Sequence, residues 1–304
     1  MAILDRHVFA DEKVKLITKI ADNPERFVGI FRSSTPRAKL IQNVSQSREI
    51  RFGDGMEEIV REYLTEMGFV HLDKVFVTEA SDDTDEETKS CDQYFRTADE
   101  TKYYLVEQKV RDDHDSTKKR GQADNFRAKV AHLHKLHGDR LVAMMFFIDP
   151  ALEKNRRYYQ DRLSAVADEF QIPVHLFYDG EFFSHFGHGE LWSSLVGGLK
   201  AWRKNIPEQA TVNFDADPVD TTNALISLPG NTWHKIISND ALWESGLIQA
   251  LFPTGDSLKS IRERMEKRGG EKFRVYRGSV KYVELAYRLQ QRIDEFYKQN
   301  SLPE

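Results

Sequence analysis

Two acidic residues and a lysine stand at a spacing suited to hydrolytic chemistry. Asp92 opens a short apolar stretch, and Glu107, Gln108 and Lys109 end a second one that follows after a polar turn. Carboxylate oxygens are preferred ligands of a hard divalent cation such as Mg2+. A cation held there can activate a water, neutralise charge on a pentavalent phosphorus and assist a departing 3′ oxygen. The segment therefore points to cleavage of a phosphodiester.

Each residue of this set has an expected role. Asp92 and Glu107 are the expected metal ligands, and the backbone carbonyl of Gln108 is the expected third oxygen. Lys109 shares a strand face with Glu107, because alternate side chains of a strand point the same way. It can therefore contact the scissile phosphate and the attacking water. Glu57 falls on the apolar side of an earlier helical segment, where an acid needs a partner, and could add a ligand.

The periodicity of apolar residues predicts the elements that carry these side chains. After a turn at residues 52–55, helical spacing begins at Met56 and ends near Gly68. Both faces of residues 103–110 are largely apolar, so we expect a central strand there. The order helix, strand, strand, strand, helix, strand, helix, strand predicts an α/β fold, a mixed sheet with helices on its faces. The remaining predicted strands are 74–78, 92–96, 141–148 and 174–178, and the helices are 116–137 and 153–170.

Outside this core the pattern is mainly helical. We predict three parts: an N-terminal arm with a short helix (1–50), a catalytic core (51–180), and a mainly helical C-terminal region for DNA recognition or dimerisation (181–304). The C-terminal region is expected to contain a loop at 207–231 and helices at 191–203, 241–251, 258–267 and 280–297.

Composition limits the possible functions. The net charge of −5 gives no overall attraction to nucleic acid, so DNA binding would need a local basic surface. Cys91 is the only cysteine, which excludes an internal disulfide framework and a cysteine-rich zinc site. No apolar run approaches the ~20 residues that cross a bilayer. The N-terminus lacks a basic region followed by an apolar stretch, so we expect a cytoplasmic protein without membrane association.

The residues and the element order together resemble a known family. Asp92, then Glu107-Gln108-Lys109, on a helix-strand-strand-strand-helix-strand order, resembles the PD-(D/E)XK nuclease superfamily over residues 50–180. Within it the chain is most similar to type II restriction endonucleases. The resemblance implies a restriction-endonuclease-like core in which Asp92 and Glu107 bind magnesium and Lys109 assists the nucleophile. Glu57 would correspond to a glutamate that some members carry on the first helix.

The chain departs from that family pattern in two places. Cys91 stands where the family nominally has proline, at a position known to vary. The acidic stretch 80–88 lengthens the connection before Asp92. Neither departure removes a proposed ligand.

Basic residues give candidates for DNA contact. Lys118, Lys119 and Arg120 fall in the first turns of a predicted helix, where cations oppose the helix dipole and would instead face a phosphate backbone. Gln122, four residues before Phe126, partly matches a Q-x-x-x-Y helix of some relatives. The alternative is a solvated basic face paired with the acidic stretch. Other candidates, each with a solvated-surface alternative, are Arg37 and Arg51 for phosphates, and Arg262 to Arg268, Lys272, Arg274 and Arg277 for bases.

The sequence thus predicts a magnesium-dependent type II restriction endonuclease that cuts double-stranded DNA at a specific sequence. A homodimer is expected, because two copies of the site would face the two strands. A cognate DNA methyltransferase is expected in the same system, although not as a bound partner. Two alternatives stay open: a structure-specific repair or recombination nuclease of the same superfamily, and a non-catalytic DNA-binding protein whose charged hairpin only stabilises the sheet.

Overall fold

The structure, a computed structural model, describes residues 1–31, 33–78, 87–206, 212–270 and 282–297. The chain divides into two compact units. The first contains residues 1–7 and 51–206, and the second contains residues 8–50 and 207–304. This division differs from the three predicted parts, because residues 8–50 pack with the C-terminal part of the chain and residues 181–206 pack with the unit that carries the sheet.

The strands form two sheets in the first unit. The main sheet is mixed, with strand order β1-β4-β5-β6-β7, and β2 and β3 form a separate antiparallel pair. β4 pairs antiparallel with β1 and β5, whereas β6 pairs parallel with β5 and β7. β5 is therefore central, as predicted. The strands are β1 Val70–His71, β2 Val75–Thr78, β3 Glu87–Ser90, β4 Gln93–Arg96, β5 Tyr103–Lys109, β6 Leu141–Phe147 and β7 Val174–Tyr178.

Helices cover the sheet and make up the second unit. None of those in the described ranges is long and apolar enough to cross a membrane. Their bounds are α1 Ala2–Phe9, α2 Glu12–Asp22, α3 Glu25–Val28, α4 Pro36–Glu66, α5 Ser116–His137, α6 Arg156–Phe170, α7 Glu181–His185, α8 Gly189–Arg203, α9 Pro218–Leu225, α10 Gly230–Ile237, α11 Asp240–Glu244, α12 Leu247–Leu251, α13 Asp256–Gly270 and α14 Tyr282–Tyr297.

The core of the first unit lies on both faces of the sheet. On one face, Leu105 of β5 packs in a cluster with Phe126 and Val130 of α5. On the other face, Phe95 of β4 and Tyr104 of β5 stack with ring centroids 4.9 Å apart. Every residue of β6 is buried, which confirms the predicted buried strand. The predicted mixed α/β sheet flanked by helices is thus confirmed.

One predicted turn is part of a helix instead. Residues 52–55, with glycines at 53 and 55, lie inside α4, which begins at Pro36 and ends at Glu66. A Cβ atom on Gly55 would lie 2.8 Å from Cδ2 of Leu4 in α1. Glycine therefore permits a close approach of α1 to α4 here, and it does not break the helix.

The second unit is built around two tryptophans, Trp233 and Trp243, which are both about 1% exposed. The stretch predicted as a loop at 207–231 includes the helix α9, which Asp217 caps by accepting a hydrogen bond from the Asp220 N–H at 2.9 Å. The helix predicted at 241–251 is divided into α11 and α12. Gly246 separates them with a φ of 74°, a left-handed conformation that glycine adopts without strain.

Candidate active site

The register of the central strands brings Asp92 beside the end of β5. Gln93 pairs with Val106 across the antiparallel β4–β5 ladder, so Asp92 lies level with Glu107 and Gln108. The Gln108 N–H donates to Oδ2 of Asp92 at 2.8 Å. This backbone contact fixes the carboxylate at the sheet end where Lys109 also stands.

Lys109 binds the three oxygens that the sequence predicts as metal ligands. Its Nζ lies 2.8 Å from Oδ2 of Asp92, 2.8 Å from Oε1 of Glu107 and 3.0 Å from the carbonyl oxygen of Gln108. The side chain of Lys109 is 25% exposed, whereas that of Glu107 is 6% exposed. The three oxygens therefore converge on one position for a positive charge, in a recess that solvent still reaches.

Lys109 carries its proton in this arrangement. Burial lowers the pKa of Lys109, but the charges of Glu107 and Asp92, together with hydrogen bonds to both, outweigh burial and raise the pKa above its ordinary value. The amine is thus an ammonium group that donates hydrogen bonds and cannot accept a proton.

Lys129 is a part of the site that the sequence analysis did not identify. It extends from α5 and its Nζ lies 2.6 Å from Oε2 of Glu107. Lys129 is 4% exposed and Glu107 is 5% exposed, so the pair is almost fully buried. Phe126, Val130 and Leu133 of the same helix are also buried. The position of Lys129 among the apolar residues of this helix is the sequence feature that indicates a buried partner, because a buried charge needs one.

Glu57 lies near Asp92 but has its own partner. Its Oε2 accepts a hydrogen bond from Nζ of Lys74 at 3.0 Å. Burial, followed by the charge of Asp92, raises the pKa of Glu57, while Lys74 and Lys109 lower it in part. No group of three or more His, Cys, Asp or Glu side chains able to hold a metal ion occurs in the ranges that the structure describes.

The donor set fits magnesium without Glu57. Mg2+ is usually held by one or two carboxylates, with water and substrate phosphate as its other ligands. Asp92 and Glu107 supply two carboxylates, and the carbonyl of Gln108 supplies a third oxygen beside them. Lys109 acts as a stand-in cation, because its ammonium group already binds all three oxygens.

A second buried carboxylate, Asp112, anchors the segment that leaves β5. Asp112 is fully buried and accepts hydrogen bonds from the N–H of Asn155 at 2.7 Å, from Nδ2 of Asn155 at 2.8 Å and from the Tyr178 hydroxyl at 2.9 Å. Burial and then the hydrogen bond to Asp112 raise the pKa of Tyr178. The network ties the chain after Lys109 to β7 and to the start of α6.

The candidate DNA-binding residues of α5 differ in their surroundings. Asp115 caps the helix by accepting from the Lys118 N–H at 2.9 Å, and the side chains of Lys118 and Arg120 are exposed. Lys119 donates to Oδ1 of Asn155 at 3.0 Å, and Gln122 accepts from the Tyr159 hydroxyl at 2.6 Å. Lys118 and Arg120 are therefore accessible to a phosphate, whereas Lys119 and Gln122 serve internal contacts.

The other basic candidates belong to both units. Arg51, in the first unit, is half-buried, and Arg37, in the second unit, is exposed. On α13, Arg262 bonds Glu266 at 2.7 Å, and Arg268 donates to the Ile226 carbonyl at 2.7 Å. Lys272, Arg274 and Arg277 lie outside the described residues, as do residues 80–86 of the acidic stretch.

Comparison with known proteins gives one family. Residues 72–203, from the start of the β2 region to the end of α8, match the model of the family described as "Type II restriction endonuclease, HinfI". The matched segment includes Asp92, Glu107, Lys109 and Lys129. No curated protein and no solved structure matches the chain. The family match supports a restriction endonuclease, a hydrolase that cleaves double-stranded DNA.

Proposed function

We propose that this protein is a type II restriction endonuclease that hydrolyses phosphodiester bonds of double-stranded DNA at a specific sequence with Mg2+. One observation carries the proposal: Oδ2 of Asp92, Oε1 of Glu107 and the carbonyl of Gln108 converge on a single cation position. They do so inside the segment that matches the restriction endonuclease family.

Asp92, Glu107 and the Gln108 carbonyl would hold the magnesium ion. Bound there, Mg2+ supplies neutralisation of the phosphate charge and favours ionisation of the attacking water. The chain itself contributes the geometry. The Gln108 N–H fixes the Asp92 carboxylate, and burial between the sheet and α5 fixes that of Glu107.

Lys109 would act on the phosphate as a cation. An ammonium group carries three donors and a compact charge, so it can donate to a phosphate oxygen and to the attacking water. Such a donor would stabilise the negative charge that develops on phosphorus. The proposed role of Lys109 is therefore electrostatic.

A purely structural role explains the site less well. Replacing a buried ion pair by well-packed apolar residues often leaves the free energy of unfolding unchanged or raises it. A buried ion pair is therefore weak evidence that the residues are present for stability. Glu107 nevertheless contacts two lysines at the end of the central strand. The clustering of charge at this position favours catalysis over a hairpin that only supports the sheet.

Cutting both strands requires two sites, and we propose a homodimer for this purpose. Lys118 and Arg120, exposed at the start of α5, are proposed to contact the phosphate backbone. A DNA methyltransferase that protects the host sequence is expected as a separate protein of the same system.

Digestion of plasmid DNA tests the proposal. Discrete fragments that form with Mg2+ and disappear when the metal is chelated would support a restriction endonuclease. Cleavage of branched or damaged DNA alone would indicate a repair or recombination nuclease. DNA binding without any cleavage would indicate a binding protein and would refute the enzymatic function.

A further inference from the structure

The two oxygens of Glu107 are held by two different lysines. Oε1 contacts Nζ of Lys109 at 2.8 Å, and Oε2 contacts Nζ of Lys129 at 2.6 Å. Lys109 is on the same strand as Glu107 and its side chain is 25% exposed, while the Lys129 side chain comes from α5 and is 5% exposed. One lysine therefore stands at the open side of the site and the other at its closed side.

Lys129 lies on a tightly packed part of α5. Phe126 and Val130, three residues before it and one after it, are fully buried against the sheet. These contacts fix the backbone of α5 on both sides of Lys129, and its Nζ is held by Glu107. Residues locked by packing are those that can hold a ligand group within a fraction of an ångström of its working position.

The contacts of Lys109 are ones that a divalent cation can replace. Its ammonium contacts Oδ2 of Asp92, Oε1 of Glu107 and the Gln108 carbonyl, the oxygens that a divalent cation would use. A divalent cation bound to these oxygens would lie close to the Lys109 ammonium, and the two positive charges would repel each other. A bound divalent cation and the Lys109 ammonium therefore compete for the same oxygens, whereas Oε2 of Glu107, on the Lys129 side, is outside this competition.

We propose that Lys129 is a positioning residue for the divalent cation: it holds Oε2 of Glu107 so that Oε1 stays directed at Asp92, and it keeps this contact while Lys109 releases the carboxylates. This inference rests on the proposed function and assigns a role to a residue outside the Asp92, Glu107 and Lys109 set. Lys129 orients the ligand and does not touch the substrate.

Calorimetric titration of the full chain with Mn2+ alone, without DNA, tests the role. Lys129→Met should weaken Mn2+ binding by about 10- to 100-fold, as loss of a residue that orients a metal ligand does. Lys129→Arg, which keeps the charge and the donors, should restore most of that affinity. Lys109→Met should bind Mn2+ at least as tightly as the unaltered protein, because it removes the competing ammonium.

Lys102→Met, which removes an exposed lysine just before β5, is the control. It should leave Mn2+ affinity unchanged. Lys129→Met with unchanged affinity, or Lys109→Met with a loss as large as that of Lys129→Met, overturns the inference. A merely structural role for Lys129 would lower the melting temperature without weakening binding by the folded protein.

A crystal structure of the unaltered protein with Mn2+ decides the matter if Lys129→Met does not fold. Lys129 should remain on Oε2 of Glu107, and Lys109 should have left Oδ2 of Asp92; the reverse arrangement overturns the inference. If the unaltered protein neither binds Mn2+ nor cuts DNA, the proposed function fails and the inference fails with it. If it does both, and Lys129→Met binds Mn2+ normally, the inference alone fails.

Discussion

Lys109 shows how neighbouring charges decide the chemistry of a single side chain. Burial alone would favour the neutral amine, which could accept a proton. Glu107 and Asp92 reverse that preference and raise the pKa of Lys109 above its ordinary value. In this arrangement Lys109 is an ammonium group, which can donate hydrogen bonds to a phosphate oxygen and to the attacking water.

Loss of either Lys109 or Asp92 should strongly slow cleavage while DNA binding persists. Lys109→Ala and Asp92→Ala are each expected to reduce single-turnover cleavage by ~10²–10⁴-fold, the usual contribution of a placed catalytic group. Gel-shift titration should still detect specific binding. Lys102→Ala, an exposed lysine just before β5, is the control and should cleave normally. A loss of only two- or threefold for Lys109→Ala would remove it from the catalytic set.

Asp112 should matter for stability more than for catalysis. Asp112→Ala leaves two donors of Asn155 and the Tyr178 hydroxyl buried without their acceptor. The free energy of unfolding is expected to fall by about 3 kcal/mol or more, because hydrogen bonds to a charged group contribute roughly 1.5–3 kcal/mol each. Urea denaturation measures the change. Asp113→Ala, at an exposed neighbour, should stay within about 0.5 kcal/mol.

At the scale of elements, the periodicity of apolar residues predicts those helices and strands that are determined by contacts between residues close in sequence. The helix predicted at 116–137 is α5, and the strand predicted at 174–178 is β7, because an amphipathic or apolar run suffices to define each. The pairing of Asp92 with the end of β5 followed from one hairpin. Lys129 could not be assigned to Glu107 in this way, since their contact joins residues 22 apart on two elements.

The glycines of α4 show a limit of using glycine as a turn signal. Glycine weakens a helix interior, so residues 52–55 were interpreted as a turn, and that prediction was wrong. The reason for glycine at position 55 is a neighbour distant in sequence, the fully buried Leu4. A single sequence contains no sign of which side chain approaches a given backbone position.

The two glycines should therefore respond differently to alanine. Gly53→Ala is expected to raise the free energy of unfolding by about 0.5–1 kcal/mol, because alanine favours the helix and its Cβ meets Val110 at an ordinary 3.9 Å. Gly55→Ala should lose that gain or destabilise, since Leu4 has to shift. Urea denaturation of both variants measures the difference. Equal stabilisation by the two substitutions would contradict the close packing of α1 on α4.

At the scale of the whole molecule, the chain builds its second unit from two separated stretches. Leu16, Ile17 and Ile20 of α2 are buried in one cluster with Trp233 and Trp243. The amphipathic pattern of α2 indicates that one face is covered, but it cannot indicate which later segment covers it. This is why the N-terminal part was predicted as an arm and is instead joined to residues 207–304 in one unit.

The first unit should lose stability on mild acidification. Burial is the largest cause that lowers the pKa of five of its histidines, His71, His114, His137, His175 and His185. In the unfolded chain these groups titrate at about 6.5. Below that pH the unfolded state binds more protons than the folded state, so stability is fully present above pH ~6.5 and is lost as the pH falls.

Urea denaturation at pH 7.5 and 5.5 measures this loss. Carboxylates with lowered pKa values, such as Glu169, titrate below about pH 4.5, outside this interval. Glu57, whose pKa is raised, gains stability as the pH falls, but it is a single group opposed by five histidines. His175 and His185, with rings 5.0 Å apart, are the pair to replace. The double variant His175→Phe with His185→Phe should reduce the pH dependence, because two of the five groups can then no longer be charged. An unaltered protein that is equally stable at both pH values would show that these histidines accept protons in the folded state without cost.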